Sequence, residues 1–343
     1  MTLPANLKTS SARDRHLYPV GRIRVLETKL LERDILRELM EADSLQSVFN
    51  ILRDTIYGEA VLEVSEVSEF EKMLTTETRN LIRMIDSLSP DPKLTDLPVW
   101  FFDVQNLKML FKVHLGKAPQ PHRFYPHGRF SVEKLRQLVE NRNSRDLPDW
   151  MIKAKEELQS VWESNPKLRM VDAVFDRALI KAQLNVVKKM KRPVLLNYYR
   201  FTLDLYNVEA FIRIRISERS RNQFEQFFVP GGELSLSFYL DSWGGSIREA
   251  GRHFEHTAFH DLVIKSLEEY ETEGTLTLLE YEGARMRMER LATSKYITFG
   301  PEPILAYFEE RFFEIRLLRS IMVAKKNDLL TEGLKRRVIT SYA

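Results

Sequence analysis

Apolar residues recur along this chain at steps of three to five, with polar residues between them. That is the period of a helix with one buried face. From Val20 to Ala42 the stripe is Ile23, Leu26, Leu30, Ile35 and Leu39, with Arg22, Arg24, Glu27, Arg33 and Glu38 free to face water. No glycine or proline interrupts the stripe from Ile23 on, so the pattern predicts one long helix with Glu27, Leu30 and Leu31 inside. Asp43 and Ser44 are capping types and open a second helix through Leu45, Val48, Phe49 and Leu52, which Gly58 suits as an end. A third is predicted from Val67 to Ser87, on Phe70, Leu74, Leu81, Ile82 and Ile85. Ser89 to Pro98 carries three prolines and reads as a loop, leading into a helix from near Trp100 to Gly116. A proline-rich connection ends at Gly128, and Ser131 opens a helix through Leu135, Leu138 and Val139. Asp149 to Met190 is amphipathic throughout. Glu233 to Leu240 alternates as a strand would, but it lies where a helix follows in the earlier part of the chain. The expected class is all-α, with short proline or glycine breaks.

One helical stretch recurs. Asp103 to Lys112 reads DVQNLKMLFK, and Asp204 to Arg213 reads DLYNVEAFIR. A weaker copy, Glu310 to Arg319, reads ERFFEIRLLR, with Glu for Asp and Phe313 for Asn. The offsets are 204 − 103 = 101 and 310 − 204 = 106. Gly128 follows the first copy and Gly231–Gly232 the second, 231 − 128 = 103 residues apart. The third copy is followed by Asn327–Asp328 without glycine, then by a last helix on Leu334, Val338 and Ile339. Such self-similarity indicates one supersecondary unit used three times. The boundaries drawn from it are a flexible N-terminus over 1–14 and repeats over 15–139, 140–242 and 243–343.

The spacing of Asp103 and Asn106, and of Asp204 and Asn207, puts each pair on one helix face. An acid–base pair would look like this, but no partner base or nucleophile stands near either copy. A polar pair that hydrogen-bonds a neighbouring turn fits better. Asp103, Asn106, Asp204, Asn207, Glu310 and Arg319 are therefore read as structural repeat markers, with no catalytic, cofactor or metal residues assigned.

Composition narrows the chemistry further. The 343 residues are 43% hydrophobic, enough for a large core, and the net charge of +3 gives no general argument for nucleic acid. There is no cysteine, which excludes disulfides and thiolate chemistry. No apolar run approaches the ~20 residues of a membrane helix, and the first residues lack the apolar centre of a signal peptide. Neither GxGxxG nor GxxxxGK[ST] occurs. His253, His256 and His260 have spacing that would share a helix face and bind a metal, but Thr257 stands where HExxH needs its glutamate, so they read as helical surface histidines. Basic clusters occur at Lys188, Lys189, Lys191 and Arg192, and at Arg213, Arg215, Arg219 and Arg221. Acidic stretches occur at Glu63 to Glu71 and Glu268 to Glu273. Separated faces of this kind can dock on charged protein surfaces.

Taken in order, Tyr18, Arg22-x-Arg24, Glu27, Leu30–Leu31, the Leu45 to Leu52 stripe and Thr55-x-Tyr57 form a pattern. It continues with DVxNLK at 103 to 108, the second DxxN at 204 to 207, GGEL at 231 to 234, and Pro303–Tyr307, Glu314, Arg319 and Ile321. The whole resembles the C subunit of bacterial and archaeal V-type/A-type ATPases, a family similar to the eukaryotic d subunit. The resemblance implies a funnel of three related helical domains in pseudo-threefold arrangement, without an active site or cofactor. It implies a cytoplasmic position, peripheral to the membrane. The implied partners are the central-shaft subunits and the cytoplasmic face of the membrane rotor ring, with torque passed between them for proton or sodium transport. Docking on the ring is expected to be electrostatic and to weaken with salt. The alternatives are a helical scaffold or adaptor of another assembly, and a metalloenzyme using the three histidines.

Overall fold

The computed structural model describes residues 14–116, 124–142, 145–164, 166–217 and 219–327. Asp328 and the expected last helix on Leu334, Val338 and Ile339 lie outside the described residues, as does all but the end of the N-terminal 1–14. Every regular element among the described residues is helical.

The chain divides into two compact units, one made of the chain up to Asp96 together with the chain from Leu291, the other of Leu97 to Arg290. In the first unit the helices are α1 (Asp14–Glu27), α2 (Arg33–Glu41), α3 (Leu45–Arg53), α4 (Gly58–Leu62) and α5 (Phe70–Leu88). A helix that starts at Pro92, α6 (Pro92–His114), carries the chain on into the second unit. There follow α7 (Val132–Val139), α8 (Asp149–Ser164), α9 (Arg169–Met190), α10 (Pro193–Ile216), α11 (Arg221–Phe227), α12 (Leu236–Asp241), α13 (Ile247–Arg252), α14 (His260–Glu273) and α15 (Thr277–Ala292). The last, α16 (Glu302–Lys326), returns to the first unit.

Three differences from the periodicity matter. The predicted helix over Val20–Ala42 is two helices, broken at Thr28–Glu32. No breaker residue marks the break; its cause is a tertiary bond described below. The proline-rich stretch is not a loop, because α6 already begins at Pro92. Proline suits a helix's first turn, where its missing N–H has no partner to lose. Pro98 lies inside the helix, and burial of Leu97, Val99 and Phe102 around it offsets the missing bond. Finally, the alternation at Glu233–Leu240 makes no strand: α12 starts within it, as the repeat led one to expect, capped by Ser235, whose hydroxyl accepts from the Phe238 N–H.

In the first unit α16 is the central rod. Its buried residues Ile304, Leu305, Phe308, Ile315, Leu318, Ile321 and Met322 lie on several sides of the helix, and α1, α3 and α5 pack on it. A helix apolar nearly all round is one that other helices enclose. In the second unit α8 and α9 pair, and α10 lies on α9. One core joins Val104, Leu107 and Phe111 of α6 to Leu135, Leu138, Met151, Val171 and Phe175. Another is aromatic: Phe211 meets Phe224, Tyr239, Trp243 and Phe254 at centroid distances of 5.5 to 5.9 Å, within the range of favourable edge and offset contacts.

Candidate functional site

The polar residues on the long helices are buried, which demands partners. Asp103 and Asn106 of α6 are both 0% exposed. The Asp103 carboxylate accepts the backbone N–H of Arg129 at 3.0 Å and of Phe130 at 3.1 Å. Asn106 binds one residue at both ends: its Nδ2 donates to the Tyr125 carbonyl at 2.9 Å, and its Oδ1 accepts the Tyr125 N–H at 2.8 Å. The turn so held runs directly into Ser131, the N-cap of α7.

The second copy repeats this atom for atom. Asp204 accepts the N–H of Glu233 at 2.7 Å and of Leu234 at 3.2 Å, and Asn207 binds the Val229 carbonyl and N–H at 2.8 and 2.9 Å. The turn leads into Ser235, the N-cap of α12. In both copies the Asn partner and the first Asp partner are four residues apart (129 − 125 and 233 − 229). Each turn has a glycine pressed on its acid. A Cβ on Gly128 would overlap Asp103 Oδ1, and a Cβ on Gly232 would overlap Asp204 Oδ1. The glycines between helix and turn are thus required by close approach.

In α16 the turn-binding acid is Glu314, not Glu310. Glu314 is 0% exposed, and its Oε1 accepts the Leu31 N–H at 2.6 Å. Leu31 immediately precedes Glu32, the N-cap of α2, as Phe130 precedes Ser131 and Leu234 precedes Ser235. This bond holds the break between α1 and α2. The register agrees along the helix: Pro92 to Asp103, Pro193 to Asp204 and Pro303 to Glu314 are each 11 residues (103 − 92, 204 − 193, 314 − 303). A base five residues past the acid agrees in the first and third copies. Lys108 pairs with Asp176 of α9, and Arg319 lies 3.1 Å from Glu71 of α5.

Around Glu314 the chemistry changes. Its Oε2 accepts the Tyr57 hydroxyl at 2.9 Å and Arg311 Nη1 at 2.8 Å, and Arg311 reaches Glu77 with Nη2 at 2.9 Å. The guanidinium lies 4.2 Å from the Tyr57 ring centroid, a cation–π contact. Burial raises the Glu77 pKa, and the Arg311 charge opposes that rise. The position of Asn106 and Asn207 is here Leu317, which is buried.

The remaining predicted residues sit as follows. Glu310 faces Lys295, Glu27 and Arg24; its Oε2 is buried without a hydrogen bond, and burial pushes its pKa up to about 7. Burial also raises Asp204, to about 6, against the two N–H bonds that favour its charge. The three histidines do not share a helix: His253 follows the end of α13, His256 lies in a turn, and His260 begins α14. Of the charged runs, Arg213 pairs with Glu280 and Arg248 with Glu271, while Arg215 donates to the Trp243 and Gly245 carbonyls. Buried acids occupied by backbone donors hold the turns that they bind.

No helix among the described residues is long and apolar enough to cross a membrane. The chain is 23% identical to the C subunit of the V-type sodium ATPase of Enterococcus hirae, over 93% of this chain and 97% of that one. It is 24% identical to the C subunit of the A-type ATP synthase of Methanocaldococcus jannaschii, over 95% and 86%. With that of a Desulfurococcus species the identity is 25%, over 93% and 89%. The family model described as ATP synthase (C/AC39) subunit matches residues 19–337. The chain therefore belongs to the C/AC39 subunit family of ATP synthases.

Proposed function

We propose that this chain is a non-catalytic central-stalk subunit of a V-type/A-type rotary ATPase, joining the soluble shaft to the membrane rotor ring and transmitting torque between them. The observation that carries the reading is the family match over residues 19–337. The buried clamps support it. A torque-bearing part must resist deformation, and charge-assisted bonds from helix to turn stiffen each helical unit. The unit is used three times in pseudo-threefold arrangement around a funnel. The three segments 15–139, 140–242 and 243–343 are kept, with the third completed by the Leu31 turn from the start of the chain. Copies of one unit suit a part that matches a symmetric ring to a central axle. The protein acts on the cytoplasmic side, peripheral to the membrane.

The test is to purify the rotary ATPase from cells with and without this chain. With it, ATP hydrolysis drives ion transport; without it, the soluble head hydrolyses ATP while coupled transport is lost. Absence of the chain from the purified complex, or coupled transport without it, overturns the proposal.

A further inference from the structure

Helix α1 has apolar side chains on two sides. Val20, Ile23 and Leu26 are buried in the first unit, where α1 packs on α16. The opposite side carries Leu17, 49% exposed, Tyr18, 75%, and Val25, 52%. Arg24, half-buried on the flank of the helix, ties a second segment to it. Its Nη2 donates to the carbonyls of Ser294 and Ile297, at 2.8 and 3.1 Å, and so pins the segment before α16 against α1. That segment adds Tyr296, 90% exposed, and Phe299, 42%. Half of the strongly exposed large hydrophobics among the described residues thus fall on one pair of adjoining segments, five of ten. Isolated exposed hydrophobics need no explanation, but a concentration of aromatic ones marks an interaction surface.

Charge states the partner's chemistry. Arg15, Arg22 and Lys29 are exposed along the same helix and its end, and none has an ion pair among the described residues. The acid of that stretch, Glu27, is engaged by Arg24 at 2.7 Å. Lys29 lines a cavity with Glu32, Asp54 and Glu59, so the cationic edge of the outer face is carried by Arg15 and Arg22. Gly21 lies one turn from Leu17 and one from Val25, with nothing within 4 Å of where a Cβ would stand. It leaves a notch between two apolar side chains, into which a side chain of another helix fits. A lipid surface has no side chain to seat in that notch, so the notch favours a helix.

We propose that the outer face of α1, continued by Tyr296 and Phe299, docks an amphipathic helix of another protein whose apolar stripe is flanked by acidic side chains. The proposal rests on the coupling reading only for where the partner is sought. The test places a photoreactive benzophenone amino acid at Tyr18, at Tyr296 or, as a control, at Leu62, which is 77% exposed on α4 of the same unit. The full chain is expressed in cells that make the whole assembly, irradiated, and the joined peptides sequenced. Tyr18 and Tyr296 should join one protein segment of helical period with Asp or Glu at its flanks, and Arg22→Glu should lower that yield by about tenfold through like-charge repulsion. Val25→Ser provides a second variant, and thermal melts confirm that both fold. Joining to lipid, or yields no higher than at Leu62, overturns the inference. If the joined helix belongs to a protein outside the rotary ATPase, the docking face stands and the coupling reading fails.

Discussion

Asp204 and Glu314 do one job in different surroundings. Each is a buried acid on a long helix, 11 residues past a proline, accepting the N–H just before the N-cap of another helix. Asp204 is short and needs the turn to come to it, so the turn carries Gly232 against the carboxylate. Glu314 has one more methylene and reaches the Leu31 N–H of a turn without glycine. Its second oxygen accepts from Tyr57 and Arg311, so the bond becomes part of an ion network in place of the Asn207 amide. The lesson is that the backbone geometry is what the three sites share. Different side chains achieve it with different vulnerabilities: steric in the second unit, electrostatic in the first.

The largest expected effect probes the electrostatic version. Glu314→Ala removes the acceptor of a buried N–H, a buried hydroxyl and a buried guanidinium together, and should cost about 3–5 kcal/mol. Urea denaturation measures it, and a loss under about 1 kcal/mol would show that the network adds little. The steric version is tested by Gly232→Ala, which forces the new methyl group onto Asp204 and should cost about 1–3 kcal/mol. Adding Asp204→Ala removes the atoms it strikes, so the double variant should be less destabilised than the sum by about 1 kcal/mol. The exposed Lys29→Ala in the first unit's turn should stay within about 0.5 kcal/mol. Strict additivity of the pair at Gly232 would sink the close-contact account.

The amides separate the two copies within the second unit. Asn207→Ala strands the N–H and carbonyl of Val229, which is 0% exposed, and should cost about 1–3 kcal/mol. Asn106→Ala strands those of Tyr125, which is 38% exposed, so water can replace the amide and the loss should be smaller. Equal losses in denaturation would mean that burial of the turn does not set the difference.

This contrast also explains what could be read in the sequence. The all-helical class was legible because apolar stripes such as Phe70, Leu74, Leu81 and Ile85 keep the helical period. The first two clamps were legible because an Asp–Asn pair and a following glycine leave marks in the letters. The third left neither mark. Its acid is Glu314, its turn Thr28–Glu32 has no glycine, and its partner Leu31 lies 283 residues away. Uninterrupted periodicity therefore ran α1 and α2 together, and the local likeness of the third copy pointed to Glu310, one turn too early. Counting from Pro303 leads to Glu314, because a proline at the helix start sets the register in all three.

The smallest effect distinguishes the two acids by pH. Burial raises Glu310 of the first unit from 4.5 to about 7 and Asp204 of the second from 3.8 to about 6. In both, the folded protein keeps a proton that the unfolded chain has released. The stabilisation is complete below the unfolded pKa and is lost as pH rises through the folded one. Asp204 is restrained by its two N–H donors, which favour the charge, whereas Glu310 Oε2 has no donor. Glu310 should accordingly titrate at the higher pH. Carboxyl carbon NMR should show Asp204 changing near 6 and Glu310 near 7. Glu310→Gln, which cannot ionise, should gain on the natural protein by on the order of 1–2 kcal/mol as pH rises from about 4.5 to 7.5, after allowance for solvent screening. A difference in stability that stays flat across that range would mean that Glu310 is charged and accommodated throughout. The unpartnered oxygen on α16 would then be no liability to the fold, and the two regions would differ in shape alone.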